Sequence, residues 1–138
     1  MTAELLSAQV RSFLAANGRH AVIATINPSG VPWQSIIWFL VQDDGILINS
    51  RLGRRWPSNL LRDPRVNFAV EDGENAVTIS GRAEVLAEGE PARDHISKMA
   101  RLYYDPEQAE RSIARFRTEP RISFLIRPSR VYTHGDPR

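Results

Sequence analysis

The 138-residue chain is 42% apolar and 25% charged, the proportions of an ordinary globular protein, and is long enough to bury about two-thirds of its unfolded surface as one domain over residues 1–138. Its formal net charge of +2 provides no strong global field of the kind a general nucleic-acid binder carries. The lack of cysteine excludes disulfides, thiolate nucleophiles, iron–sulfur clusters and zinc–thiolate sites.

The opening "MTAELLSAQVRSFLAANG" has no uninterrupted apolar core of the secretory type, and no run approaches a membrane span, so a cytoplasmic location is expected. Leu6, Val10, Phe13 and Leu14 fall at i, i+4, i+7 and i+8, which predicts an amphipathic helix stopping near Asn17-Gly18. "HAVIATI" (20–26) reads as a buried strand, followed by the turn "NPSG" (27–30). "VPWQSIIWFLV" (31–41) reads as one strand, at first alternating and then apolar enough to be covered on both faces. After the turn "DDG", "ILINS" (46–50) completes three strands that short turns should join as an antiparallel meander.

The next segment, "INSRLGRRWPSNLLRDPRV" (48–66), is unusual: Arg51, Arg54, Arg55, Arg62 and Arg65 crowd a connector between two strands. A short helix is expected over about 54–62, ended by Asp63-Pro64. Val66, Phe68 and Val70 begin a fourth strand, and Val77 to Val85 alternate as a fifth. Ile96, Met99, Ala100 and Tyr103 share a face of one helix. Asp105, Pro106 and Gln108 form an N-cap signal for a second, lined by Ala109, Ile113 and Phe116. "RISFLIRPSRVYTH" (121–134) is a last strand with a bend at Pro128. The fold predicted is mainly β with helices (α+β), a six-stranded antiparallel barrel flanked by helices.

The chemistry-bearing residues are few. His20, His95 and His134 show no metal-ligand spacing, and neither a nucleophile elbow nor a phosphate-binding glycine loop occurs. Paired carboxylates fall only in turns. No catalytic acid–base or nucleophilic residue is therefore assigned, and an enzyme on this sequence would rely on a cofactor. Asn49, Ser50 and Arg51 leaving a strand, with Arg54 and Arg55 entering a helix, offer donors suited to a phosphate; a solvated helix face is the alternative. Nucleic acid fits less well, because no aromatic platform accompanies the basic patch. In "PWQSIIWF" (32–39), Gln34 and Ser35 enter an apolar strand flanked by Trp33 and Trp38. Either the tryptophans are packing residues, or the strand is a wall for a flat heteroaromatic ring whose edge Gln34 or Ser35 bonds.

Taken together, "AVIATINPSGVPWQSIIWFL", "DDGILINSRLGRRWPSNLLRDPRVNFAV", "ISGRAEV" and the ending "RISFLIRPSRVYTHG" resemble the pyridoxamine 5′-phosphate oxidase-like split-barrel superfamily. The likeness is strongest to its branch of small actinobacterial proteins that use the deazaflavin coenzyme F-420. The resemblance implies a split barrel of the FMN-binding type that forms a homodimer with cofactor grooves between subunits. It implies that Gln34, Ser35, Ile36 and Trp38 face the ring, and that Asn49, Ser50, Arg51, Arg54, Arg55, Trp56 and Asn59 lie along the phosphate segment. The implied activity is hydride transfer between reduced deazaflavin and a small unsaturated or heteroaromatic acceptor. An FMN-binding oxidoreductase, or a non-enzymatic carrier of flavin, deazaflavin or haem, is the alternative. Arg51 or Arg62 could meet the carboxylates of the deazaflavin's oligoglutamate tail.

Two departures stand out. Many members place a lysine three positions before the helix asparagine, matched here by Asn59; this chain has Trp56 there, so Arg54 and Arg55 are expected to supply the charge. The tail "SRVYTHGDPR" lacks the substrate-gripping motif of true pyridoxamine phosphate oxidases, so vitamin B6 oxidation is not expected. Tyr132 and His134 are the tail residues a partner's site could borrow.

Overall fold

The computed structural model describes residues 5–16 and 18–137. Helix α1 (Ala8–Ala15) starts at Ser7, whose hydroxyl accepts the Val10 N–H at 3.2 Å. It turns Val10, Phe13 and Leu14 inward, and Leu6 is buried beside them. Asn17, half of the expected stop signal, lies outside the described residues. The strands are β1 (Ala21–Ile26), β2 (Pro32–Ile37), β3 (Leu40–Gln42), β4 (Gly45–Arg51), β5 (Arg65–Glu71), β6 (Ala76–Glu88) and β7 (Arg121–His134). The helices between them are α2 (Arg55–Arg62), α3 (Glu90–Tyr103) and α4 (Pro106–Phe116). Asp105 caps α4 as its sequence predicts, accepting the Gln108 N–H at 2.9 Å.

All pairings are antiparallel, in the order β2-β1-β5-β6-β7-β4-β3. Ile37 from one edge and Ile46 and Ile48 near the other share one core with Phe13 and Phe68. The sheet therefore wraps round into a split barrel with α1 packed inside its open side. Phe68, fully buried and edge-on to Phe39 (4.9 Å, 89°), gains about 1.5–3 kcal/mol from transfer out of water alone. A second core lies outside β4, where Leu47 meets Met99 and Ala100 of α3 and Ile113 and Phe116 of α4. Because β4 is covered on both faces, Ile46, Leu47 and Ile48 follow one another without alternation, and the polar Asn49 and Ser50 after them are buried too.

Seven strands replace the six expected, because residues 31–41 do not run as one. The break falls at Trp38-Phe39, where the Phe39 N–H donates to the Tyr103 hydroxyl at 3.3 Å. The hydroxyl in turn donates to the Arg19 carbonyl at 2.6 Å. Both expected hairpins form, β1 with β2 and β3 with β4, but the break divides the meander: β2 and β3 end up at opposite edges of the sheet, and β4 pairs with β7 on its other side. Nor is the apolar stretch covered on both faces within the chain, since Ile36 is 74% exposed on the outer face of β2.

The β6–β7 ladder shifts register at Gly81, which faces Pro128. A Cβ built on Gly81 would overlap the Arg127 carbonyl. Gly81→Ala should accordingly destabilise the fold by about 1–3 kcal/mol, the scale of overpacking against an immovable neighbour, read as a lowered urea midpoint.

Candidate functional site

A cleft of about 310 Å³ opens between the β2–β4 side of the barrel and the α3–α4 pair. One end is aromatic. The break that Tyr103 pins turns Trp38 sideways, so its indole stacks on the Tyr103 ring (5.0 Å, 13°) and meets the Tyr104 ring edge-on (4.8 Å, 83°). His20 meets the other side of this cluster, edge-on to Tyr103 at 5.4 Å. Burial raises the Tyr103 hydroxyl above its ordinary pKa, so it stays a neutral hydrogen-bonding group. Trp38 and Tyr104 line the cleft from this end.

The opposite end is cationic. Arg121, the first residue of β7, is only 5% exposed. Its Nε and Nη2 donate to Asn49 Oδ1 (3.0 and 2.8 Å), and its Nη1 donates to Glu119 Oε1 at 2.9 Å. Phe116 lies 4.9 Å from its guanidinium carbon, an attractive cation–π placement. Burial pushes the Arg121 pKa down, Glu119 opposes that, and Arg54 and Arg115 add to it by repulsion. Three guanidiniums thus converge on one wall. Asn49 spends its whole amide here: it also donates to the Ala92 carbonyl and the Ser123 hydroxyl, each at 2.8 Å. Ser123 continues the chain to His95 Nδ1 at 2.8 Å. Burial lowers the His95 pKa, with Lys98 acting in the same direction and Asp94 opposing. Its neutral form is therefore the one this network favours.

The sequence model of the family described as pyridoxamine 5′-phosphate oxidase matches residues 6–135, nearly the whole chain. The chain belongs to the pyridoxamine 5′-phosphate oxidase family. A conserved hypothetical protein from Mycobacterium tuberculosis is 26% identical, with a TM-score of 0.74 over 96% of this chain and 85% of that one. An F-420 reductase (18% identity, TM-score 0.67, 86% and 93% coverage) shares the fold. So does the haem storage protein HutZ from Vibrio cholerae (16% identity, TM-score 0.71, 95% and 96% coverage). No curated protein matches the sequence. No helix among the described residues is long and apolar enough to cross a membrane, and no group of His, Asp or Glu among them is arranged to hold a metal ion.

Against this family frame, the eleven residues singled out in the sequence divide. Ile36, Trp38, Asn49, Ser50, Arg54 and Trp56 all border the cleft. Ser50 is 3% exposed, and its hydroxyl has no hydrogen-bond partner among the described residues. The Arg54 guanidinium likewise has no acceptor among the described residues, although Arg121 feels its charge. Trp56, which stands where many family members have lysine, turns into the core (6% exposed), its ring 6.0 Å from Phe124. It shapes the cleft floor and supplies no charge.

The other five lie elsewhere. Gln34 shares the outward face of β2 with Ile36, and Ser35 faces the opposite way. Arg51 is half-exposed and 4.0 Å from Glu119. Arg55 lies over the Trp33 ring at 4.2 Å, beside a separate depression that Asn59 and Arg62 also line. Asn59 is 2% exposed and donates to Thr25 Oγ1 (3.1 Å) and Asn27 Oδ1 (3.0 Å), which ties α2 to β1 and its turn. Of the remaining connector arginines, Arg62 donates to Asn59 Oδ1 at 3.2 Å and to the Ile26 carbonyl. Arg65 binds Asp63, and its N–H groups hold that carboxyl down to about 2. Among the cleft residues that sequence reasoning missed are the charged Arg115, Glu119 and Arg121 and the aromatic Tyr104 and Phe116. The one available signal was Arg121 itself, a charge opening the apolar run "ISFLI".

Two variants separate the buried network from the surface charge. Asn49→Ala strips the buried Arg121 guanidinium of two acceptor contacts and should cost about 2–3 kcal/mol in denaturant unfolding, as for hydrogen bonds to charged groups. Arg51→Ala removes only a long, exposed ion pair and should stay within about 1 kcal/mol of the unaltered protein.

Proposed function

We propose that the chain is a deazaflavin-dependent oxidoreductase: the cleft binds coenzyme F-420, and hydride passes between the reduced ring and a small unsaturated or heteroaromatic acceptor. The observation that carries this reading is the two-ended lining, aromatic at Trp38 and Tyr104 and cationic at Arg54, Arg115 and Arg121, with the Phe116 ring against the Arg121 guanidinium. A flat ring joined to an anionic chain is the ligand class that such a lining complements. Arg54 and the Ser50 hydroxyl, both without protein acceptors, would hold the phosphate, and Ile36 and Trp38 would lie along the ring. When bound, the deazaflavin supplies the hydride chemistry. The chain's own residues bind, orient and exclude water, and no acid–base side chain is assigned a step. FMN offers a tricyclic ring of similar shape and a phosphate. The arginines at the cationic end, more than one phosphate engages, favour the ligand with additional carboxylates.

The proposed active unit is a homodimer. The outward face of β2 and β1 carries Ile36 (74% exposed) and Val22 (39% exposed), directly paired across the two strands. Ile36 also borders the cleft, so a partner seated on this face would extend its wall. A volume of about 310 Å³ is near the lower end of ligand sites, ~300–1,000 Å³, which suits a site completed by a second subunit.

Fluorescence titration with F-420 and with FMN tests the cofactor assignment. F-420 should bind more tightly, and binding by neither would overturn the reading. Arg54→Ala should weaken binding by about 1–3 kcal/mol, the worth of a charge-assisted hydrogen bond; unchanged affinity would remove Arg54 from the phosphate grip. Sedimentation should show a dimer for the unaltered protein and a monomer for Ile36→Glu, which places a charge in the apolar face. A monomeric unaltered protein would contradict the dimer.

A further inference from the structure

Glu119 is the one carboxylate among the described residues that line the cleft. Its side chain is 15% exposed and lies among three guanidiniums: Arg121 Nη1 at 2.9 Å, Arg115 Nε at 3.9 Å and Arg51 Nη1 at 4.0 Å. Arg54 adds a fourth positive charge with no acceptor of its own. One carboxylate therefore compensates a cluster that remains strongly positive.

The two partners of the shortest contact are anchored differently. Arg121 cannot shift, because Asn49 takes its Nε and Nη2 and Phe116 lies against the guanidinium. Three of its five N–H groups are engaged, which leaves one on each terminal nitrogen. Glu119 is held through its backbone: its N–H donates to the Phe116 carbonyl at 3.1 Å, and its carbonyl accepts Arg93 Nε at 3.0 Å. The carboxylate itself can rotate about its own side-chain bonds without disturbing the loop, and Arg115 and Arg51 stand ready to receive it.

We infer that Glu119 is an internal counter-ion occupying the place of the ligand's anionic group, which yields the Arg121 edge to an incoming phosphate and sets the charge selectivity of the site. The inference rests on the reading of this cleft as the site of an anionic ligand, and deepens it. The physical argument is an exchange. A phosphate near −2 that displaces a carboxylate gains charge against the same guanidiniums, whereas a monocarboxylate merely replaces like with like. The free protein therefore discriminates against singly charged anions.

Calorimetric titration of the full chain with inorganic phosphate and with acetate tests this. Glu119→Gln keeps the shape but removes the competing charge. It should bind phosphate about tenfold more tightly than the unaltered protein, and should acquire acetate binding, which narrows the phosphate preference. Equal or weaker phosphate binding by the variant, or no phosphate binding by either protein, would overturn the inference. The unaltered protein provides a second readout that does not depend on a variant folding: the side-chain carboxyl ¹³C signal of Glu119 should move as phosphate is added, and a signal that stays fixed at saturation would count against displacement. If neither F-420 nor FMN binds while the variant still gains phosphate affinity, the proposed function falls and the role of Glu119 stands.

Discussion

The bond between Arg121 and Asn49 is the constraint on which the cleft depends. A guanidinium only 5% exposed must be supplied with acceptors, since an unpartnered buried charge costs several kcal/mol. Asn49 supplies one oxygen to two of its N–H groups, and its amide nitrogen reaches the Ala92 carbonyl on α3 and the Ser123 hydroxyl on β7. One side chain thereby joins β4, β7 and α3. The same contacts fix the direction in which Arg121 presents its remaining donors. The Asn49 amide, which its place before the connector first suggested as a ligand contact, thus holds Arg121 in place.

The aromatic end is set by a different device. Tyr103 interrupts the β2–β3 backbone by accepting the Phe39 N–H, and the interruption frees Trp38 to stack on the same ring. One α3 residue therefore decides both the strand count and the orientation of the ring wall. Between the two ends, Trp56 fills the space where the family often has a lysine. The positive charge of the cleft comes instead from Arg54 and from Arg115 and Arg121, about sixty residues further along the chain. Of these, Arg121 is held by the barrel's own ladder, opposite Arg51 of β4.

Much of the fold was legible in the sequence because its signals are local. The caps at Asp105, the stop at Asp63-Pro64, the alternation in β6 and the bend at Pro128 each act within a few residues, and each has its counterpart in the structure. The break at Trp38-Phe39 was not legible, because its cause, Tyr103, lies 64 residues away. The strand order was hidden for the same reason: the tight turns correctly imply the β1–β2 and β3–β4 neighbours, but the break between β2 and β3 sends those two to opposite edges as the sheet wraps. Within the site, the connector arginines could be recognised as a group but not sorted. Only contacts distinguish Arg54, which faces the cleft, from Arg62 and Arg65, which neighbouring side chains engage. The family resemblance drew attention to this segment, and long-range partners determine which of its residues border the cleft.

Arg54 and Arg55 border different depressions, so the proposed function depends on the side of α2 at which the anion binds. The most direct measurement is a crystal structure of the protein soaked with F-420, with the phosphorus located by its density. The account predicts phosphate oxygens within hydrogen-bonding distance of Arg54 and Arg121, and the ring directed toward Trp38 and Tyr104. A phosphate bound instead at Arg55 and Asn59, on the far side of the helix, would contradict it.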